Sequence, residues 1–404
     1  MMSTHLPDEF ALVVACCMWP PSERRNLTIG CAAAKVSDWA RFLRIVRHHR
    51  VAGLALDGLR KAQTSVPDET AGSLRADAAA LARQNLLFAA ESFRLQKALD
   101  DLGIPNLSVK GVTLAQLAYG SLAIKHSWDI DLLVLPEGVT GAIQALARLG
   151  YRASKPFPSE SDRRYGHWLE FTREYLFFHE SNSAVVELHW RLTDNEHFLP
   201  GVSAKSTPRT VMISSSLGLR TLDDGDLFVF LCVHGAFHGW ARLKWLADVA
   251  ALISGDDAER LEQRFFAAKQ ANAEHCVAQA YLLCDRLFGT PALAALSRKL
   301  RMRRRYRRLE RMAFGIMTLG GAEVYPGTGS FDKLPLIASH FLLGHGWRYV
   351  TTELRYKLFA PWDLMYSDLE TNLGAMYVLR RVASWLRRGG RARNPVLPAQ
   401  PDPE

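Results

Sequence analysis

The chain has 404 residues, of which 48% are hydrophobic and 23% are charged, with 10 Trp and 19 Phe. This length and composition exclude an intrinsically disordered or fibrous protein and allow two or three domains with large buried cores. Lys and Arg exceed Asp and Glu by 50 to 41, a formal charge of +9, which suggests an anionic partner such as a nucleotide, a nucleic acid or an anionic surface.

The N-terminal segment is apolar without resembling a signal peptide. Residues 10–19 (FALVVACCMW) follow Asp8 and Glu9, where a signal peptide carries positive charge, so we predict a buried helix. No stretch approaches the roughly 18 apolar residues that a membrane span needs. The six cysteines form no C-x-x-C pair or repeated spacing, so no disulfide framework is predicted and a reducing cytoplasm fits best.

Two helical patterns follow, and we assign residues 1–103 to an N-terminal helical region. Ser37 and Asp38 form an N-cap signal before a pattern that predicts one helix to about Lys61. A longer helix is predicted from about residue 69 to 102, ending at Gly103.

Residues 104–200 have the pattern of a compact α/β core. A short strand (IPNLSVK) precedes the helix VTLAQLAY, the strand DIDLLVL and a helix at about residues 137–149. Two further extended runs, WLEFTREYLFFH and AVVELHWRL, flank a predicted hairpin turn at residues 180–183. The predicted fold class is therefore α+β, a mixed sheet flanked by helical regions.

The rest of the chain is predicted to be a C-terminal helical region, residues 201–386, and a disordered tail, residues 387–404. It opens with a polar connector at residues 201–216, and helical patterns begin at Asp224. His234 and His238 have metal-ligand spacing on the first helix. Because H-G-A-F-H lacks the glutamate of H-E-x-x-H, we favour a structural or substrate-pocket role over zinc.

Positive charge is concentrated near the C-terminus. Residues 301–404 hold 17 basic and 9 acidic side chains, and the densest run is RMRRRYRR at residues 301–308. A nucleic-acid or anionic-substrate patch is one interpretation of this run. We favour a solvated helix face, because no aromatic platform or RNA-binding motif accompanies it.

Two aspartates near the start of the DIDLLVL strand carry the strongest chemical signal. Alternation places Asp129 and Asp131 on one face of the strand, where two carboxylates side by side need a cation. Mg²⁺ held by carboxylates and substrate phosphates is the usual solution. Glu187 and His189 share a face of another predicted strand. The alternative is a chance D-h-D in which Asp129 only caps a turn.

These motifs together resemble the nucleotidyltransferase superfamily of the DNA polymerase β type, and specifically its family of uncharacterised nucleotidyltransferases. The resemblance rests on SVKG ending at Gly111, YGSLAIK at residues 119–125, DIDLLV from Asp129, LARLGY ending at Tyr151 and VELHW ending at Trp190. It continues into HGAFHGWARLKWLADVAALI from His234. It implies a minimal nucleotidyltransferase sheet with the active site in a cleft beside the helical regions.

The resemblance also implies roles for individual residues. Asp129, Asp131 and Glu187 would be the catalytic carboxylates and the ligands of Mg²⁺, with Mn²⁺ as a substitute. Gly120 and Ser121 would receive the β- and γ-phosphates of an NTP. The other implied nucleotide-binding residues are Lys110, Gly111, Lys125 and His189. The alternative for either lysine is a solvated surface side chain.

Three departures from the family pattern bear on these roles. Lys125 replaces a common Arg, which keeps the charge but loses the planar fork for bidentate phosphate contact. Glu187 replaces a commoner Asp and reaches one methylene farther. The interval from Ser121 to Asp129 is shorter than is usual in the superfamily.

The implied function is Mg²⁺-dependent transfer of a nucleoside monophosphate, or alternatively a phosphoryl group, from an NTP to an unidentified acceptor. The acceptor would be a metabolite or a peptide or protein hydroxyl, with nucleic acid less favoured. The competing hypothesis is a catalytically silent protein of the same fold that holds an anionic partner through its basic C-terminal region.

Overall fold

A computed structural model describes residues 6–319 and 334–358. The predicted tail and the helical patterns beyond residue 358 lie outside the described residues. The elements are α1 (Asp8–Cys16), α2 (Glu23–Ala33), α3 (Trp39–His49), α4 (Ala52–Lys61), α5 (Asp68–Asp100), β1 (Asn106–Ser108), α6 (Val112–Tyr119), β2 (Ile130–Val134), α7 (Val139–Arg148), β3 (Tyr151–Ala153), α8 (Tyr165–Phe171), β4 (Glu174–His179), β5 (Val185–His189), β6 (Arg209–Met212), β7 (Gly218–Thr221), α9 (Asp224–Phe237), α10 (Leu243–Leu252), α11 (Ala258–Gln270), α12 (Glu274–Phe288), α13 (Ala294–Arg301), α14 (Arg304–Leu319), α15 (Leu334–Leu343) and α16 (Trp347–Leu358).

The architecture confirms the predicted α+β class with a mixed sheet. Five strands lie in the order β1-β2-β5-β4-β3, with β2 and β5 parallel and the other neighbours antiparallel. The predicted hairpin at residues 180–183 joins β4 to β5, and the apolar N-terminal segment is the buried helix α1. The predicted domain boundaries remain predictions. One hydrophobic core contains residues of α1–α4 together with residues of α9, α10 and α12.

Two predicted helices are each divided in the structure. The pattern that runs to Lys61 forms α3 and α4, because Arg50 adopts a left-handed conformation with φ of 56° that ends the first helix. The stretch from Asp224 forms α9 and α10, with Gly239 and Trp240 at positive φ between them. Arg50 is not a glycine and gives no local signal of a left-handed turn, whereas Gly239 is a residue that commonly ends a helix.

The extended elements also differ from prediction in three places. Residues 168–171 were predicted as strand but belong to α8, where the buried Trp168 packs against Trp190 with ring centroids 4.8 Å apart. The polar connector at residues 201–216 contains β6, which pairs with β7 as a separate hairpin. The short strand β3 was not predicted.

The two faces of the central strand β2 pack against different cores. Ile130, Leu132 and Val134 belong to a cluster with residues of α5 and α7. Side chains alternate along a strand, so Asp131 and Leu133 face the opposite side, towards α9 and α10. This alternation leaves the acidic face of the sheet beside the C-terminal helices. None of the described helices combines the length and apolar character that crossing a bilayer requires.

Candidate active site

Strand register brings the acidic residues of the sheet together. In the parallel pair of β2 and β5, Asp131 lies opposite Glu187, and His189 lies two residues farther along the same face of β5. The antiparallel strand β4 places Glu174 opposite His189. Four ionisable side chains from three strands therefore share one face of the sheet.

Asp131, Glu187 and His189 converge closely enough to hold one cation. Each offers a ligand atom, and these atoms lie within 4.8 Å of one another. Lys110, from the turn between β1 and α6, places its Nζ 2.6 Å from Asp131 Oδ1 and 4.0 Å from Glu187 Oε2. Of the three carboxylates expected to hold the metal, Asp131 and Glu187 lie in this group and Asp129 does not.

His189 is surrounded by carboxylates on both sides of its ring. Its Nε2 lies 3.2 Å from Asp131 Oδ1 and 3.5 Å from Glu187 Oε2, and its Nδ1 lies 3.1 Å from Glu174 Oε2. Burial opposes the charged ring, but Glu174 and the hydrogen bonds to the carboxylates outweigh it and raise the pKa of His189 well above its ordinary value. The carboxylates therefore favour the charged form of His189, and its binding of nucleotide stays a prediction.

The two aspartates of the D-I-D motif have opposite pKa shifts. Burial would raise the pKa of Asp131, but Lys110 and His189 hold it well below its usual range. Burial and the neighbouring charge of Asp131 raise the pKa of Asp129 to about 7. Within residues 6–319 and 334–358, the Asp129 carboxylate has neither a hydrogen bond nor an ion pair within 4 Å.

These residues fit a divalent cation. Among the described residues, the buried Oδ2 atom of Asp131 has no hydrogen-bond partner, and the charge of Asp131 raises the pKa of the nearby Asp129. Oxygen donors of this kind are the ligands of Mg²⁺ and Mn²⁺. A cation held by Asp131 and Glu187 would satisfy the Asp131 oxygen and lower the pKa of Asp129.

A narrow cavity of about 30 Å³ opens between the acidic face and the C-terminal helices. A cavity of this size holds a water or an ion, so a nucleotide must bind across its open end. The lining residues come from the turn before α6, the segment before β2, β2 itself, α9, the segment after it, and α10. They are Lys110, Gly111, Leu114, Lys125, His126, Ser127, Trp128, Asp129, Asp131, Leu231, His234, Lys244, Trp245 and Asp248.

Lys244 is a cavity residue that the sequence analysis did not select. It occupies the first turn of α10, half-buried, and within the two described ranges its ammonium has no carboxylate partner within 4 Å. Burial, followed by the charges of Lys125 and Arg50, lowers its pKa well below the ordinary lysine value, while Asp129 acts in the opposite direction. The motif RLKWLAD contained it, but nothing local distinguished this lysine from a surface one.

The two glycine turns predicted to bind phosphate lie in different places. Gly111 lines the cavity at the N-terminus of α6 with φ of 70°, and a Cβ added there would lie 3.5 Å from the Asp129 carbonyl oxygen. Gly120 ends the same helix at its other end, and the Ser121 hydroxyl accepts a hydrogen bond from the Ala123 amide. Neither Gly120 nor Ser121 lines the cavity.

Lys125 is buried and already paired. Its Nζ lies 3.3 Å from Asp248 Oδ2, and both side chains are 5% exposed. The Tyr119 hydroxyl donates to the other oxygen of Asp248 at 2.9 Å, and the Asn85 amide donates to the Lys125 carbonyl. Lys125 therefore connects the segment before β2 to α10, beside the cavity.

The histidine pair of α9 behaves as expected for a pocket wall. His234 lines the cavity, and burial and Lys110 lower its pKa well below the usual value, so the ring is neutral at pH 7. Its ring lies 4.5 Å from His238 and 5.7 Å from Trp245. In the part of the chain that the structure describes, neither histidine joins a group of three metal-ligating side chains.

Comparison with known proteins gives one match. Residues 35–289 match the model of a protein family described as uncharacterised nucleotidyltransferase, and this segment contains every residue of the acidic face and the cavity. No curated protein matches the sequence. The match covers well over half of the chain.

Proposed function

The chain belongs to the uncharacterised nucleotidyltransferase family, and on this basis we propose that it is a Mg²⁺-dependent enzyme that transfers a nucleoside monophosphate from an NTP to an acceptor hydroxyl. One observation carries the proposal. Asp131 lies beside Glu187 on parallel strands, and Asp129 and Asp131 line a cavity that also presents Lys110, Gly111 and Lys244. Acidic and basic side chains therefore lie next to each other. A site that binds a metal together with phosphates needs both.

Asp129, Asp131 and Glu187 are the proposed metal ligands. The bound metal supplies charge neutralisation for the attacking and leaving oxygens of the transferred group. Lys110 and His189 keep Asp131 ionised across the physiological pH range, because both are positive charges held against it. Asp131 is thereby kept ready to bind a cation.

Glu187 is the proposed acceptor of the proton from the attacking hydroxyl. It is partly exposed, with 26% of its side chain accessible, whereas Asp131 is fully buried. Attack by the acceptor oxygen forms a bond to the α-phosphorus and breaks its bond to the bridging oxygen, so pyrophosphate leaves.

The triphosphate is proposed to contact Gly111 and Lys244. Phosphates bind at helix N-termini, and Gly111, which has no side chain, lines the cavity at the start of α6. Lys244 supplies an amine without a carboxylate partner within the described ranges, and a bound phosphate would favour its charged form. Gly120 and Ser121 do not line the cavity, so we transfer their proposed role to Gly111.

Nucleotide binding and label transfer test this function. The full chain with Mg²⁺ is expected to bind at least one NTP and to release pyrophosphate with an extract of small molecules and peptides as acceptor source. Label from the α-phosphorus of the NTP is expected in the product. Label from the γ-phosphorus would indicate phosphoryl transfer.

The variants Asp129→Asn and Asp131→Asn are expected to lose Mg²⁺-dependent binding, whereas Asp101→Asn, an exposed aspartate paired with Lys97, serves as the matched control. Nucleotide binding that survives both active-site substitutions unchanged would contradict the enzyme hypothesis. Binding without pyrophosphate release from any acceptor would support the catalytically silent alternative.

A further inference from the structure

A second group of metal-ligating side chains lies away from the acidic face, where three separate segments of the chain meet. Glu274 and His275 form the first turn of α12, and His345 lies in the turn between α15 and α16. Each offers one ligand atom, and the three atoms lie within 4.8 Å of one another. Glu274 and His275 lie near the end of the family match and His345 lies outside it, and the proposed function uses none of the three.

The separations suit a tetrahedral ion. The His345 Nδ1 and His275 Nε2 atoms lie 3.3 Å and 3.9 Å from Glu274 Oε1. Metal bonds of about 2.0–2.1 Å in tetrahedral geometry place neighbouring ligand atoms about 3.3 Å apart, so small side-chain movements complete the site.

The hydrogen bonds around His275 select the tautomer that binds metals. Its Nδ1 lies 3.0 Å from the Leu343 carbonyl oxygen and acts as the donor, which leaves Nε2 unprotonated and directed towards Glu274. Such a bond from the second ring nitrogen to a carbonyl orients many metal-ligating histidines.

Two further polar atoms lie buried here, Glu274 Oε2 and His197 Nε2, and neither has a hydrogen bond to any residue that the structure describes. The centroids of the His197 and His345 rings are 5.7 Å apart. The nearby cation Arg305 is turned towards the carbonyl oxygens of Leu342 and Gly344, which hold its guanidinium.

We propose that Glu274, His275 and His345 form a zinc site that fastens the turn before α16 to the first turn of α12, with His197 or water as the fourth ligand. Mixed imidazole and carboxylate donors in four-coordinate geometry favour Zn²⁺ over Mg²⁺. The helix α16 then contacts the sheet region, since Asn195 donates to Glu353 at 3.3 Å and Arg191 donates to Tyr356 at 3.1 Å. The zinc site therefore holds these C-terminal helices in place beside the sheet.

Zinc binding by the full chain tests the proposal. Protein stripped with a chelator is titrated with Zn²⁺ in excess Mg²⁺ and without nucleotide, and bound metal is measured by elemental analysis. The wild-type chain is expected to bind one equivalent. Co²⁺ in its place is expected to give the visible absorption of a four-coordinate ion.

Three variants locate the ion. His345→Gln and Glu274→Gln are each expected to weaken zinc binding at least tenfold with an unchanged circular dichroism spectrum, because His345 is 49% exposed and glutamine preserves the shape of glutamate. His167→Gln, at an exposed histidine on α8, is the matched control and is expected to bind as the wild type does. Asp131→Asn is also expected to bind one equivalent of Zn²⁺, since this substitution changes only the acidic face.

Three results would overturn the proposal. They are an absence of zinc binding by the wild-type chain, full binding by both His345→Gln and Glu274→Gln, and a loss confined to Asp131→Asn. The last would place the zinc at the acidic face. In any of these cases, Glu274 and His345 form only an ion pair. These results do not depend on nucleotide binding, so the failure of the proposed function would be recognised separately.

Discussion

The folded chain destabilises the ionised form of the Asp129 carboxyl group. Burial and the charge of Asp131 raise its pKa to about 7, well above the value of an aspartate in the unfolded chain. A carboxyl whose folded pKa is raised stabilises the folded state at low pH, and this contribution is lost as the pH rises through the folded pKa. The metal-free protein therefore bears a penalty that develops between about pH 4 and pH 7 and is complete at pH 8.

Asp129→Asn is accordingly expected to stabilise the metal-free protein above pH 7 while weakening Mg²⁺ binding. The Tm of the variant should exceed that of the wild type by at least ~2 °C at pH 8, since one pKa unit corresponds to about 1.4 kcal/mol. The difference should shrink as the pH falls below 7 and disappear only below about pH 4, the pKa of an unfolded aspartate, where Asp129 is protonated in both states. Thermal unfolding in chelator across this pH range measures this, and an equal Tm at pH 8 would refute the assigned electrostatics.

Lys244 is expected to strengthen phosphate binding while lowering the stability of the folded chain. It lies in the first turn of α10, which has no acidic residue there and no side-chain cap, and a cation at a helix N-terminus is unfavourable. A phosphate between Lys244 and the acidic face removes this cost. The half-buried position of the ammonium keeps the site ready for that phosphate.

Lys244→Gln is expected to weaken NTP binding by at least tenfold, because a charge-assisted hydrogen bond contributes about 1.5–3 kcal/mol. Binding of the corresponding nucleoside should not change, and the Tm should stay the same or rise. Calorimetric titration measures the affinities for NTP and nucleoside, and thermal unfolding measures the Tm. Lys299→Gln, at an exposed lysine paired with Glu262, is the matched control, and equal NTP affinity of the two variants would exclude Lys244 from the site.

At the scale of elements, α6, the segment before β2 and α10 are joined by Asp248. This carboxylate receives the Tyr119 hydroxyl with one oxygen and pairs with Lys125 through the other. Because the pair is buried, removing one partner leaves an uncompensated charge in the interior. The cavity wall formed by α10 therefore depends on a contact between distant parts of the sequence.

Asp248→Asn is expected to lower the free energy of unfolding by about 3 kcal/mol, because Lys125 is left buried without a counter-charge. Asparagine keeps an acceptor for Tyr119, so the change isolates the ion pair. Adding Lys125→Met should recover part of the loss. Urea denaturation measures both, and a loss no larger than that of Asp101→Asn, about 0.5 kcal/mol at an exposed pair, would disprove the structural role.

At the scale of the whole molecule, the arginines of residues 301–308 fall into two groups. Arg301 pairs with Asp285 at 2.7 Å, and Arg305 donates to the Leu342 carbonyl oxygen at the end of α15. These arginines therefore connect neighbouring helices. Arg304 and Arg308 line a groove with Phe341 and Trp347, and Trp347 is 78% exposed. Aromatic neighbours that the local sequence lacked are thus present in space, and single-stranded nucleic acid belongs among the acceptors to be tested.

Much of the fold and of the acidic face could be predicted from local patterns. The helix α6 lies where the sequence predicted it, and Asp131, Glu187 and His189 share a face because alternation along a strand is a local property. The break at Arg50 could not be predicted, since a left-handed residue other than glycine leaves no local signal, whereas Gly239 is a local signal for the break after α9 that the prediction missed. The role of Gly120 and Ser121 was inferred from motif order, whereas Gly111 is the glycine at the cavity.

The sequence by itself determined the family, the α+β class and the carboxylates most suited to a metal. Only the tertiary structure decided which charges meet: Lys125 with Asp248, Lys110 with Asp131, and Glu274 with His345. It also left Lys244 without a carboxylate partner inside the described ranges. The physical reason is that the periodicity of a helix or strand determines the face on which a side chain lies. The residue that this side chain contacts depends on how segments far apart in the chain pack together.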